Sequence, residues 1–197
     1  WVTPSGGTPL RRAMDDVGKY FQRTDDKGPW AEKPGVSRGV ELACRKSFHI
    51  LMTDGMWNGG DANTEAARSA DNKDGVQFIH PRDANVKYKY VATAAENKFY
   101  YGEKESTLAD VAMYYWKNDL YPDLENNVPY SATDPAFWQH LVQYTVGLGV
   151  DGPDEPQDGH GPLVRLEDLD GGKLVRRRTE LHAHRFHAVV IFRHDPR

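Results

Sequence analysis

The stretch Ser47-Phe48-His49-Ile50-Leu51-Met52-Thr53-Asp54-Gly55 decides how the fold is read. Its near-continuous apolar run, halted by Asp-Gly, predicts a strand buried on both faces, the pattern of a parallel sheet. A buried helix would run further before meeting a polar stop. A second strand follows late in the chain. There Val142, Tyr144, Val146 and Leu148 alternate with Gln143, Thr145 and Gly147, and the pattern stops at Gly149.

Helices are predicted around these strands. In Ser5-Gly6-Gly7-Thr8-Pro9-Leu10, Thr8 suits an N-cap and Pro9 the first helical position, where its missing N–H costs nothing. Leu10, Ala13, Met14, Val17 and Phe21 then form an apolar stripe, with Arg11, Arg12, Asp15, Asp16 and Lys19 on the other side. Over 107–120, Thr107 and Asp110 make a capping box with Asp in place of Glu, ahead of a stripe of Leu108, Val111, Ala112 and Tyr115. Asp134-Pro135 predicts a short helix through Trp138 and Leu141. The polar stretch 59–106 holds one expected short strand at Lys87-Tyr88-Lys89-Tyr90-Val91. So long a connection reads as a decorated loop beside the edge bearing Asp54, a partner contact whose removal spares folding. The order helix, strand, insertion, helix, strand is that of an α/β sheet with helices on its faces.

Composition bounds the function. The 197 residues suit one domain with a substantial core. No stretch approaches ~18 apolar residues, so no transmembrane segment is expected. A net charge of -4 gives no general attraction to nucleic acid. Positive charge gathers at the end, in Lys173, Arg176, Arg177, Arg178, Arg185, Arg193 and Arg197. The single cysteine, Cys44, has no internal disulfide partner.

Ligands of an open parallel sheet bind beyond the carboxyl ends of its strands. Asp54 stands at such an end, and Thr8 precedes a helix expected to start from the same edge. A hydroxyl and a carboxylate are hard oxygen donors, suited to Mg²⁺ or Ca²⁺ rather than zinc. Each also has a plainer role, Thr8 as a helix cap and Asp54 as a turn residue.

Taken together, "GGTPL" before a helix and "FHILMTDG" at a strand end resemble the second and third loops of the von Willebrand factor A fold. The resemblance implies that Thr8 and Asp54 contribute to its metal-ion-dependent adhesion site. "CRKSFHILMTDGMWNG", "STLADVAMYYWKNDL" and "DPAFWQHLVQYTVGLGVDG" are similar to the A-type domain of the PilY family of type IV pilus tip and assembly proteins. The resemblance covers 5–58 and 99–152. It implies a von Willebrand factor A-like (Rossmann-like) α/β domain over 1–152, a parallel sheet flanked by helices with an insertion at 59–106. The basic tail, 153–197, diverges and is a candidate for the closing part of the same domain. Pilus assembly and tip adhesion, without catalysis, are the implied function. The implied partners are minor pilins, pilus tip proteins and a host or abiotic surface. The implied location is secreted, at the cell surface, pilus tip or outer membrane. The first metal-site loop, Asp-x-Ser-x-Ser, and its strand have no counterpart before Thr8. The expectation is therefore an N-terminally truncated fragment that binds Mg²⁺ or Ca²⁺ weakly or not at all.

Rival chemistries are thinner. His182, His184, His187 and His194 offer a zinc-like His-x-His, and with it a metal-dependent hydrolase as the alternative, but no Cys or bridging carboxylate accompanies them. Asp168, Asp170 and Gly171 resemble part of a calcium loop, yet Arg177 stands where a bidentate Glu is needed. Gly6-Gly7 lacks the rest of any phosphate-binding motif. The basic tail lacks the aromatic interleaving of a nucleic-acid module.

Overall fold

The computed structural model describes residues 7–37, 39–53, 58–97 and 100–147. In chain order these form α1 (Leu10–Phe21), β1 (Ser47–Thr53), β2 (Gln77–His80), β3 (Asp83–Lys89), α2 (Leu108–Lys117) and β4 (Leu141–Gly147), with 3₁₀ turns at Glu65–Arg68 and Ala95–Asn97. β1 and β4 pair in parallel, Ser47 opposite Leu141 and onward to Thr53 opposite Gly147. The described fold is α/β, and the two strands read from the sequence pair with each other. A separate antiparallel hairpin, β2 with β3, occupies the middle of 59–106, where only one short strand was expected. Leu148, Gly149 and the tail lie outside the described residues.

β1 corrects the expectation of burial on both faces. Side chains alternate across a strand, and α1 and α2 lie on one side only. Leu51 and Leu141 face that side and join Leu10, Met14, Leu108, Val111 and Tyr115 in one core. Ser47, Thr53 and Gln143 are buried on the same side, and His49 Nδ1 lies 2.7 Å from Gln143 Oε1. The other side carries Phe48, Ile50 and Met52, which are 47%, 62% and 61% exposed. Their cross-strand partners are Val142, Tyr144 and Val146. Among the described residues, the buried side of the sheet mixes polar with apolar groups, and the apolar side carries the exposed Phe48, Ile50 and Met52.

The helices meet at a point that hydrophobic patterning does not mark. A Cβ at Gly18 would lie 2.3 Å from the Tyr115 ring, so α1 and α2 touch where α1 has no side chain. Asp15, expected on the solvent side of α1, is fully buried. Its oxygens accept hydrogen bonds from Tyr115 Oη at 2.8 Å and the Thr64 N–H at 3.1 Å, and Lys19 Nζ sits 2.8 Å away. These donors fix a charge that burial alone would expel. The capping box of α2 forms as expected, with Thr107 and Asp110 bonded reciprocally.

Two further expectations change. No helix follows Asp134-Pro135; 134–140 runs irregularly into β4. Ala136, Phe137, Trp138, Gln139 and His140 are all buried, leaving no polar side for a surface helix to show. The Asp134 carboxylate accepts from Trp116 Nε1 at 3.2 Å and contacts His140 Nε2 at 3.3 Å instead of capping a helix. The stretch 59–106 is also more than a decorated loop. Phe78 stacks on Trp138 with ring centres 4.2 Å apart, and Tyr90 packs with Met113, Ala70 and Ala92. It covers the second side of α2, so its removal would strip buried aromatic surface rather than spare folding.

Candidate functional site

The sequence places any site where β1 ends and α1 begins. β1 ends at Thr53, and Asp54 follows it directly, outside the described residues. Thr8 is described and exposed. It does not cap α1: the residue before the helix is Pro9, and no side chain caps the first turn. The backbone of Thr8 is engaged elsewhere. Its N–H donates to Asn58 Oδ1 at 2.8 Å, and its carbonyl accepts from the Asn58 N–H at 3.0 Å. These reciprocal bonds tie the start of α1 to the loop leaving β1.

Two glycines permit that approach. A Cβ at Gly7 would lie 2.2 Å from Asn58 Oδ1. Gly59 has φ +95°, and a Cβ there would lie 3.1 Å from the Pro9 ring. Gly7 therefore serves the loop contact.

Arg11 completes the junction. Its guanidinium donates to the Ser106 carbonyl at 2.7 Å and the Gly59 carbonyl at 3.0 Å, and pairs with Asp61 at 2.7 Å. Three segments distant in sequence thus meet on one side chain. Sequence reasoning assigned Arg11 only to a solvent face, and no local signal distinguishes it from Arg12. A polar groove of about 740 Å³ opens beside the junction, lined in part by Asp61, Glu65, Arg68, Lys73 and Glu105.

The donor set is small. Thr8 offers one hydroxyl, and among the described residues no group of three or more His, Cys, Asp or Glu could hold a metal ion. The described donors do not fit a self-sufficient Mg²⁺ or Ca²⁺ site, since these ions take about six or more oxygens. The histidines of the tail lie outside the described residues. Cys44 is exposed and carries a free thiol. No helix among the described residues is long and apolar enough to cross a membrane.

Comparison with known proteins supplies the relationship. The chain is 37% identical over 167 residues, covering 76% of its length, to the type IV pilus biogenesis factor PilY1 of Pseudomonas aeruginosa strain PAK. This chain is related to the PilY family. PilY1 of P. aeruginosa strain UCBPP-PA14 is 34% identical to it over 161 residues, covering 74% of the chain. The chain spans 13% and 12% of the length of these two PilY1 proteins. No family model and no solved structure matches the chain.

Proposed function

We propose that this chain is a partner-binding domain from a PilY-type protein, acting in type IV pilus biogenesis and tip adhesion. The observation that carries the reading is the 37% identity to PilY1 over 76% of the chain. The parallel β1–β4 pair, with an α1 start fastened to the loop leaving β1, supports a von Willebrand factor A-like arrangement. In this reading the domain works outside the cell without catalysis, and contacts pilus components or a surface through the loops around Thr8, 58–61 and 105–106. Thr8 and Asp54 contribute two oxygen donors to a Mg²⁺ or Ca²⁺ site whose other ligands come from outside the two matched loops. The ion would supply a fixed positive charge for an acidic group of the partner.

The test uses the full parent gene in its own piliated bacterium. Leu141→Asp buries a charge in the core and is expected to abolish surface pili. Asp54→Ala is expected to leave pili in place but lower surface attachment and the heat of divalent-ion binding by the purified protein. Normal piliation with Leu141→Asp would defeat the pilus reading. Unchanged ion binding with Asp54→Ala would defeat the metal role and leave partner binding to the loops alone.

A further inference from the structure

The turn at 69–75 lies along α2 and brings two carboxyl groups together under cover. Asp71 is 1% exposed and Asp110 0%. The Asp71 N–H donates to Asp110 Oδ1 at 3.4 Å, which sets the two buried acidic residues side by side, and Asp71 Oδ1 has no hydrogen-bond partner. Asp110 is fixed, because it accepts from the Thr107 N–H and Oγ1, each at 2.9 Å. Two acidic groups buried side by side do not both carry charge, and a buried carboxyl oxygen with no donor facing it is the place for a proton.

Other charged and titratable groups surround the pair. From α2, the Lys117 ammonium donates to the Ala70 and Lys73 carbonyls and lies 5.6 Å from the centre of the Tyr90 ring. Just past β3, Tyr90 Oη donates to the Asp71 carbonyl at 2.7 Å. On the turn itself, Lys73 bonds Ser69 and Asp74 pairs with Lys89 of β3.

We propose that one proton shared by Asp71 and Asp110 fastens the 69–75 turn to α2, forming a latch that opens more readily as pH rises. Burial, then the hydrogen bond and charge of Asp110, push the Asp71 acid up to about 8. In the opened turn it returns to the ordinary value of about 3.9. Between those values the closed state holds a proton that the open state lacks. Opening therefore releases a proton, and its equilibrium constant rises about tenfold per pH unit until it levels off near the closed-state value. Lys117, pulled down to about 8 chiefly by burial, acts in the opposite sense and only above that value. Asp15 and Asp134 are held low and titrate below the window. Tyr90 is pushed up, beyond it. His49, on β1, bonds Gln143 of β4 rather than a residue of the turn.

Amide hydrogen exchange on the whole chain tests this, with protection corrected for intrinsic rate between about pH 5 and about pH 8. Reporters are Gly75 and Ala92, whose N–H groups bond the Tyr90 carbonyl and Asp74 Oδ1. Their protection is expected to fall about tenfold per pH unit. In Asp71→Asn it should be flat, because the amide donates to Asp110 at every pH. Flat protection in the unaltered chain overturns the latch, even if the variant fails to fold. An equal slope in Asp71→Asn overturns it too. A shared slope at the β1 and β4 amides would assign the proton to global folding and also overturn it.

Discussion

Gly18→Ala offers the sharpest test of how the helices pack. In an exposed helix, replacing Gly with Ala stabilises by ~1 kcal/mol. Here the added methyl would lie 2.3 Å from the Tyr115 ring, so the ring or the helix must move. Overpacking of this kind costs ~1–3 kcal/mol. Displacing Tyr115 also lengthens its 2.8 Å bond to the buried Asp15 carboxylate, a charged hydrogen bond contributing ~1.5–3 kcal/mol. Setting the helical gain against these losses leaves a net destabilisation of ~1.5–5 kcal/mol. Urea unfolding should show a lower midpoint with an unchanged slope. In a Tyr115→Ala background the same substitution should become neutral or favourable, a non-additivity expected only of groups in contact. A Gly18→Ala protein as stable as its parent, or more so, would refute the crossing described here.

Other outcomes follow from the same contacts. Ser106 has φ 60°, a left-handed conformation that only Gly adopts freely, so Ser106→Gly should be neutral or stabilise by up to ~1 kcal/mol in thermal unfolding. Burial alone would raise the Asp15 acid, but hydrogen bonds from Lys19, Thr64 and Tyr115 outweigh it; at Asp134 contacts with His140 and Trp116 do the same, and both acids lie below the ordinary range. Their stabilisation is therefore full above about pH 4 and lost as pH falls through the lowered folded-state values. Acid titration followed by tryptophan fluorescence should show this loss, and Asp134→Asn should flatten part of it.

The parts of this fold that were legible in sequence are those set by local rules. The alternation through Val142, Tyr144 and Val146, the apolar run from Phe48 to Met52 and the Thr107–Asp110 box each need only neighbours along the chain to be read. What failed depends on partners far away. Asp15 reads as surface because nothing near it in sequence foretells Thr64 and Tyr115. Asp134-Pro135 has the chemistry of a helix start, yet tertiary burial of 136–140 claims the segment first. At the candidate site Thr8 bonds Asn58 through its backbone, and Pro9 takes the N-cap position that sequence reasoning assigned to Thr8. Arg11, which joins three segments there, carries no signature that spacing could reveal.

The exposed apolar side of the sheet has a practical consequence for anyone producing this domain alone. Phe48, Ile50 and Met52 with Val142, Tyr144 and Val146 form a hydrocarbon strip two strands wide and about 13 Å long. A polypeptide ending at Gly147 would present that strip to its neighbours in solution, and clustering should grow with concentration. Threonine at positions 48, 50 and 52 supplies the β-branched shape that strands favour, and the Leu51–Leu141 core on the opposite side would not feel the change. Light scattering from such a triple variant should stay flat where the parent's climbs, and crystallisation trials would sensibly begin with it.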